Sequence, residues 1–218
     1  MALKEKDFIE IEFVAKIKEG GIFDTNIKEE LKKLNPKAEA KPFVFCLGEG
    51  MFLKGVDDFL IDKDVGEYEI ELKPDDAFGK RDSKLVYMMP IKVFHEQQVN
   101  PVPGYTFNFD GRVGKVLTVS GGRVMVDFNN PLAGKEIIYK VKILKKIDNI
   151  NEKIKAINDF FFRQEIKFKV EEKKLIIEAE KGMKQFIELF KDKYKNMLDL
   201  DLEVKELEKD KNEKTKDA

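Results

Sequence analysis

The side chains best suited to nucleophilic, acid-base or metal chemistry occur once each in the 218 residues, as Cys46 and His95. A structural zinc site needs about four Cys or His ligands and a disulfide needs a pair of Cys, so one chain can form neither. His95 lies in the polar run 95–98, which is typical of an exposed or capping histidine. Cys46 lies in the apolar run 43–47, which is typical of a core thiol. We therefore predict no metal, no cofactor and no His-dependent catalytic pair.

Two short motifs could bind an ion, but each has a simpler interpretation. Asp75 and Asp76 are adjacent carboxylates after Pro74, which favours a loop turn over a metal site. Residues 48–50, Gly-Glu-Gly, resemble part of a phosphate-binding loop but lack its remaining Gly and its Lys. Neither motif predicts a binding site.

A third set of residues combines aromatic side chains with one carboxylate. Its members are Phe13, Phe23, Asp24, Phe43, Phe52, Phe78 and Tyr139. Aromatic residues on alternating strands are usually core residues, so composition alone does not make this set a site.

The motifs around these residues resemble the FKBP-type peptidyl-prolyl cis-trans isomerases. The similarity covers residues 8–80 and 131–146 and is carried, in family order, by Phe23-Asp, Phe43-Val-Phe-Cys-Leu-Gly, Phe52-Leu-Lys-Gly-Val, Pro74-Asp-Asp-Ala-Phe-Gly and Ile137-Ile-Tyr-Lys-Val-Lys-Ile. The resemblance implies an antiparallel sheet wrapped on a short helix, and an enzyme that isomerises Xaa-Pro bonds.

The resemblance also assigns roles to individual residues. It places Phe13, Phe43, Phe52, Phe78 and Tyr139 around the proline ring, with Leu53 and Val56 as the floor. By the same resemblance the Asp24 carboxylate meets the twisting carbonyl, and the Leu53 N–H holds the residue after proline. Phe23 belongs to the same site. Rotation about an Xaa-Pro bond is slow because it breaks amide resonance, and the twisted carbonyl is less polar, so an apolar aromatic site should favour it without any nucleophile.

Three positions depart from the usual family pattern. Phe13 and Phe78 stand where Tyr is usual, and Val56 stands where Trp is common. Each missing hydroxyl removes a hydrogen bond that contributes about 1 kcal/mol. We expect isomerase activity to persist at a modest level.

Residues 85–130 consist of short strand-like runs separated by glycine-containing turns, which predicts a small β module inserted in the first domain. Three strand-like runs alternate with Asp110-Gly111 and Gly121-Gly122 turns, and the return motif 129–135 follows. This arrangement is similar to the SlyD-like subgroup, whose insert binds unfolded chains. That resemblance implies a client-binding role for exposed apolar residues, namely Val86, Tyr87, Met88, Met89, Val93 and Phe94. SlyD-like proteins often end in a metal-binding His/Cys tail, which this chain lacks, so nickel binding is not expected.

Two alternatives remain open from the sequence. The insert is either a client-binding groove or a self-contained β module with ordinary surface hydrophobic residues. The protein is either an isomerase with a chaperone insert or a binding-only holdase with a vestigial site.

The elements that must position these residues predict an α+β protein in three parts. Alternating strands at 8–17, 68–72 and 135–144, a short apolar strand at 43–47 and a short helix near 52–60 are expected to form the isomerase domain, residues 1–84 plus 131–147. The insert, residues 85–130, interrupts that domain. A C-terminal α+β domain, residues 148–218, completes the chain and resembles the extension of longer archaeal members.

The C-terminal segment differs sharply in composition. All seven Pro and thirteen of the fourteen Gly precede residue 135, whereas residues 148–218 carry 18 acidic and 17 basic side chains. We predict a helix at 149–164, a hairpin at 166–179, one helix at 184–197, a strand at 198–204 and a solvated tail from 205. Because so small a charged unit has a limited core, we expect it to form a homodimer.

The charges of the whole chain exclude some partner classes. Forty-one basic and 42 acidic residues give a net charge of −1, without the basic excess expected of a nucleic-acid or membrane-surface protein. No run approaches the ~20 apolar residues of a membrane span. We therefore expect a cytoplasmic protein whose partners are unfolded polypeptides with Xaa-Pro bonds.

Overall fold

The computed structural model describes residues 2–109 and 111–206, and it confirms a mixed α+β fold with antiparallel sheets. The strands are β1 Phe8–Ile17, β2 Ile22–Thr25, β3 Phe43–Cys46, β4 Glu67–Leu72, β5 Val86–Pro90, β6 Thr106–Phe109, β7 Arg112–Ser120, β8 Arg123–Asp127, β9 Ile137–Ile147, β10 Phe168–Glu171, β11 Lys174–Ala179 and β12 Asp201–Glu206. The helices are α1 Lys28–Leu34, α2 Lys54–Leu60, α3 Ile91–Glu96, α4 Ile150–Phe162, α5 Lys181–Glu188 and α6 Lys191–Leu198.

The first sheet has the order β2-β1-β9-β4, with β3 pairing to β1. β1 and β3 are antiparallel, and their register places Phe8 opposite Cys46 and Ile11 opposite Phe43. The alternating sequence of β1 buries Ile11, Phe13 and Ala15 on one side of the strand, as its period of two residues predicts.

Helix α2 begins at Lys54, two residues later than the apolar pattern predicted. Residues 48–53 form a loop in which Gly48 and Gly50 have φ of +79° and +71°, a conformation that favours glycine. The helix buries Val56, Asp57 and Leu60.

The insert contains a four-stranded sheet of order β5-β8-β7-β6 and the short helix α3. Its core consists of Phe94, Val116, Val124 and Val126. A side chain at Gly114 would place its Cβ 2.6 Å from Val126, so the close packing of β7 at this point requires glycine. The three predicted strand runs are confirmed, whereas the sequence pattern predicted neither β5 nor α3.

The C-terminal segment begins with α4, whose first amides are capped by the Asn149 side chain. The predicted hairpin is confirmed as β10 and β11, and β12 pairs in parallel with β11. The prediction of one helix at 184–197 was wrong. The chain forms α5 and α6 instead, because Leu189 and Phe190 donate to carbonyls three residues back and tighten the turn. Strand β12 starts at Asp201, since Leu198 ends α6. Of the predicted tail, residues 205 and 206 end β12 and residues 207–218 lie outside the described part of the chain.

Contacts divide the chain into two compact units. One combines the residues up to Val14, Thr25–Tyr68 and the described residues from Val141, and the other combines Ala15–Asp24 with Glu69–Lys140. The C-terminal segment therefore shares a unit with β3, α2 and most of β1.

Candidate functional site

Four phenylalanines of the first unit form what we call the Phe43 group. Its members are Phe13, Phe43, Phe45 and Phe52. The Phe43 ring lies 5.1 Å from Phe52, 5.3 Å from Phe45 and 5.9 Å from Phe13 between ring centroids. Phe13 and Phe45 are buried, whereas Phe43 and Phe52 stay partly exposed. The structure thus brings together three of the predicted site residues and adds Phe45.

Three aromatic residues of the second unit form what we call the Tyr139 group, Phe23, Phe78 and Tyr139. The Phe23 ring lies 5.8 Å from Phe78 and 6.3 Å from Tyr139, edge to face in both pairs. Tyr139 is buried in β9, while Phe23 in β2 and Phe78 after a 3-10 turn are partly exposed. These are the remaining predicted aromatic residues.

Asp24 is exposed at the end of β2 and acts electrostatically on Tyr139. Burial raises the pKa of the Tyr139 hydroxyl above its usual value, and the negative charge of Asp24 raises it further. The hydroxyl therefore keeps its proton at any physiological pH and can act only as a neutral hydrogen-bonding group.

Thr25 and Asn26 fix the backbone of Phe13, a function that the sequence did not predict. The Thr25 hydroxyl donates to the Phe13 carbonyl at 2.7 Å, and the Phe13 N–H donates to the Asn26 side chain at 2.8 Å. Asn26 also donates to the Ile11 carbonyl at 2.7 Å. The two polar residues directly after Asp24 therefore hold the Phe13 backbone in place. In the sequence, only their position next to Asp24 could have indicated a role near the site.

Asp57 organises the loop that leads from β3 to α2. Its carboxylate is buried and accepts hydrogen bonds from the N–H of Gly48 at 2.9 Å and from the N–H of Gly50. Burial raises the pKa of Asp57, and the two backbone hydrogen bonds oppose that shift. The Gly-Glu-Gly motif thus binds an internal carboxylate through its N–H groups, which explains its resemblance to part of a phosphate-binding loop.

Leu53 and Val56 lie at the start of α2, as the family pattern implied. Leu53 is the N-cap, and its carbonyl accepts from the N–H groups of Val56 and Asp57. In the part of the chain that the structure describes, no acceptor is bonded to the Leu53 N–H. Helix starts leave such N–H groups available for a bound ligand. Val56 is fully buried.

In the insert, the predicted client-binding residues divide by exposure. Met88 is 61% and Tyr87 is 44% exposed on β5, which is an edge strand of its sheet. Val86, Met89 and Val93 are half-buried. The expectation that Phe94 is exposed was wrong, because α3 turns its ring into the core of the insert, where it is 1% exposed and packs on Phe107 and Phe109.

The two segments that connect the insert to the rest of its unit are bonded to each other by what we call the connector cluster, Arg81, Asp82, Asp127 and Asn129. Arg81 pairs with Asp127, and Asn129 both accepts from the Asp82 N–H at 2.8 Å and donates to its carbonyl at 2.9 Å. The Phe128 N–H donates to the Leu85 carbonyl at 2.9 Å, so the insert starts and ends at one point.

The other side chains with possible chemistry lie outside both aromatic groups. Cys46 is buried, and burial together with the charges of Glu49 and Asp57 raises its pKa to about 12, so it is confirmed as an inert core thiol. His95 is exposed on α3, and Asp75 pairs with Lys80 at 2.8 Å beside an exposed Asp76 in a 3-10 turn.

Within residues 2–109 and 111–206, no three His, Cys, Asp or Glu side chains are grouped so that they could hold a metal ion. None of the helices described is both long and apolar enough to cross a membrane.

Two families of known proteins have models that match parts of this chain. Residues 1–95 match the FKBP-type peptidyl-prolyl cis-trans isomerases, and residues 87–132 match a family described as FKBP26, IF domain. A short-type peptidyl-prolyl cis-trans isomerase of Methanocaldococcus jannaschii is 29% identical over 145 residues, which are 65% of this chain and 92% of that protein. The FKBP-type isomerase SlyD of Helicobacter pylori is 25% identical over 134 residues, 59% of this chain and 72% of its own.

A solved structure of the three FKBP domains of wheat FKBP73 also aligns with this chain. The alignment has a TM-score of 0.37 and 13% identity, and it covers 67% of this chain and 41% of that one.

Proposed function

This chain contains an FKBP-type peptidyl-prolyl cis-trans isomerase domain, and we propose that the Phe43 group, the Tyr139 group and Asp24 carry out its catalysis. The observation that carries the proposal is that every aromatic residue assigned by the family motifs belongs to one of two tight aromatic groups. The substrate class is polypeptide with Xaa-Pro bonds.

The apolar aromatic side chains lower the barrier by their effect on the amide. In water the planar, resonance-stabilised amide is favoured because its polar carbonyl is well solvated. Partly exposed rings such as Phe43, Phe52 and Phe78 can replace that water with apolar surface around the proline ring. The carbonyl of the twisted amide is less polar, so it loses less solvation free energy than that of the planar amide when water is replaced. The rotation barrier is therefore lower in the site than in water.

Polar groups orient the substrate beside the rings. We assign the exposed Asp24 carboxylate to the carbon of the twisting carbonyl, and the Leu53 N–H to the carbonyl of the residue after proline. The protonated Tyr139 hydroxyl adds a donor near Asp24, since its raised pKa prevents ionisation. No covalent step is involved, so Cys46 and His95 have no role in the reaction.

A proline-isomerisation assay on a tetrapeptide tests this assignment. Asp24→Ala should lower kcat/KM about tenfold, and the matched control Asp76→Ala, an exposed aspartate in a turn, should leave it unchanged. Equal activity of wild type and Asp24→Ala would remove Asp24 from the mechanism. A wild type without catalysis would contradict the isomerase assignment and leave the binding-only holdase as the alternative.

We propose that residues 85–130 form a chaperone domain that binds unfolded segments along β5. The exposed Tyr87 and Met88 side chains on an edge strand support this, because an extended client can add backbone hydrogen bonds there while the side chains make unselective apolar contacts. Val86 and Met89 are the neighbouring half-buried residues of β5, while Met89 and Val93 pack against the core of the insert. The isomerase domain then comprises residues 1–84 and 131–147, and the client is held near the isomerase by its tether.

Refolding of a proline-limited protein tests the insert. Changing Tyr87 and Met88 together to Ser should weaken protein refolding by about tenfold while tetrapeptide turnover stays at the wild-type value. A control with Tyr105→Ser, which is exposed on the same module but outside β5, should refold clients normally. A double variant that refolds clients as well as wild type would contradict a binding role for β5.

We also propose that the C-terminal segment forms a homodimer through an aromatic surface at the ends of α4 and α5. Phe160, Phe186 and Leu189 are exposed there, and Leu189 is 78% exposed. Sedimentation should show that Leu189→Asp dissociates the dimer, whereas Val65→Asp, an exposed apolar position elsewhere, does not. A Leu189→Asp variant that sediments as a dimer would contradict this surface. A cytoplasmic location stays a prediction from the sequence.

A further inference from the structure

The C-terminal segment packs directly on the elements that carry the Phe43 group. Helix α4 packs against β3, and the Lys153 ammonium lies 5.5 Å from the centre of the Phe8 ring on the neighbouring strand. Helix α6 is tied to α4 because the buried Tyr194 hydroxyl donates to the side chain of buried Asn158. This packing places α6 at a fixed position relative to β3.

One side chain of α6 reaches the loop in front of α2. Lys193 directly precedes the buried Tyr194, and its ammonium lies 3.2 Å from the Glu49 carbonyl and 3.4 Å from the Glu49 carboxylate. The Glu49 side chain is only 14% exposed and that of Lys193 is 42% exposed, so this ion pair is partly shielded from solvent. A lysine 144 positions away in the chain therefore binds the loop at two atoms of one residue.

The loop is held from both sides at this point. Asp57 binds the N–H groups of Gly48 and Gly50, which flank Glu49, while Lys193 binds Glu49 itself. Phe52 and Leu53 follow Gly50 by two and three residues, so the anchored part of the loop lies directly before them. Because both glycines adopt left-handed conformations with wide backbone freedom, the loop depends on such anchors for a defined geometry.

We propose that Lys193 is a positioning residue for prolyl isomerisation, acting through Glu49 to fix Phe52 and the Leu53 N–H. The inference rests on the proposed function of those two residues. It gives the C-terminal segment a part in catalysis within its own chain, separate from any part in dimerisation.

The test compares two lysines on either side of Tyr194. Lys193→Met removes the donor but keeps the aliphatic stem, and Lys193→Arg retains a donor. Lys195→Met is the matched control, because Lys195 lies on the same helix and pairs with Asp199 at 3.1 Å and Asp201 at 3.2 Å, within its own segment. All variants are made in the whole 218-residue chain.

Lys193→Met should lower kcat/KM on a tetrapeptide about threefold, the size expected for a partly exposed ion pair. Lys193→Arg should recover most of that loss, and Lys195→Met should match wild type. The melting temperatures of the two Met variants should agree. In NMR spectra, the amide signals of Phe52 and Leu53 should move in Lys193→Met and stay in place in Lys195→Met.

Two results would overturn the proposal. One is a wild-type kcat/KM for Lys193→Met, and the other is an equal loss in both Met variants, which would indicate a general effect of the helix. If the wild type lacks isomerase activity, the proposed function fails separately. The amide signals of Phe52 and Leu53 then decide alone whether Lys193 fixes the loop.

Discussion

The Phe43 group and the core of the insert are built from the same residue at similar distances, yet they differ in burial. Ring centroids in the Phe43 group lie 5.1–5.9 Å apart, and those joining Phe94 to Phe107 and Phe109 lie 5.2–5.9 Å apart. Phe94 is surrounded by Val116, Val124 and Val126 and is almost wholly buried, whereas Phe43 and Phe52 remain partly exposed. Aromatic clustering therefore does not identify a site by itself.

The second difference lies in the polar groups beside the rings. The backbone and loop that carry the Phe43 group are held by Asn26, Asp57 and Lys193. Phe94 packs instead in an apolar cluster with Val116, Val124 and Val126. The Phe43 group therefore combines partly exposed rings with a backbone and loop held by hydrogen bonds, as the proposed role in substrate binding requires.

Phe94→Ala should produce the largest effect and affect stability alone. Removing a fully buried phenylalanine costs about 3–5 kcal/mol, which is enough to unfold a module of this size. Chemical denaturation should show an early transition for the insert, and protein refolding should fail while tetrapeptide turnover persists. Loss of tetrapeptide turnover would show that the site depends on a folded insert.

Phe52→Ala should show the reverse pattern. We expect kcat/KM on the tetrapeptide to fall about tenfold, with a cost of about 1–2 kcal/mol in stability because the ring is only partly buried. The control Phe59→Ala removes a partly exposed phenylalanine that packs on Tyr68 outside both aromatic groups. If the control lowers kcat/KM as much, the effect is one of packing and the comparison with Phe94 fails.

Asp127→Asn tests how much the connector cluster, which joins the two ends of the insert, contributes to stability. Burial opposes ionisation of Asp127, but hydrogen bonds from Asn129 and the charge of Arg81 lower its pKa below the ordinary value of 3.8. Its contribution to stability is therefore present above pH 3.8 and is lost as the pH falls through the lowered pKa. We expect the variant to lose about 1 kcal/mol at pH 7.

Urea unfolding at pH 7 and in acid measures that difference. The difference in the free energy of unfolding between wild type and Asp127→Asn should become smaller in acid, when both side chains are uncharged. A gap that stays constant with pH would show that the charge of Asp127 is unimportant.

Phe78→Tyr should give the smallest effect of these variants, and it should raise kcat/KM. It restores the hydroxyl that the family usually has, and a hydrogen bond of about 0.5–1 kcal/mol in the transition state would raise kcat/KM about two- to fivefold. Phe45→Tyr, which places a hydroxyl in the buried part of the Phe43 group, should lower stability without any gain. A Phe78→Tyr variant no faster than wild type would show that the missing hydroxyl does not limit turnover.

Much of the fold could be predicted because most of the strands in the first sheet alternate apolar and polar residues, β3 is a short apolar run, and several turns carry glycine. Strands β1, β3, β4 and β9 agree with the predicted runs within a few residues. The family motifs identified the aromatic residues of both groups. Helix α3 was missed because its six residues are too short for a clear helical period, and Phe94 was therefore judged as part of an exposed run.

The parts of the site that could not be predicted depend on contacts between distant residues. Lys193 and Glu49 are 144 positions apart, and nothing in either local sequence indicates their pairing. The split between α5 and α6 was also hidden, because Phe186, Phe190, Tyr194 and Met197 keep a helical spacing across the break. The hydrogen bonds of Thr25 and Asn26 to the Phe13 backbone and those of Asp57 to two glycines form only in the folded chain.

The carboxylate that Asp57 supplies to the Gly48 and Gly50 N–H groups has a consequence for free anions. A group joined to its binding site by a short stretch of chain has an effective concentration in the millimolar range or above. Phosphate or sulfate in solution must compete with that tethered carboxylate for the same two donors. The geometry of the loop should therefore be the same in phosphate, sulfate and chloride buffers. In the protein without substrate, the Asp57 carboxylate already occupies the position that a free anion would take.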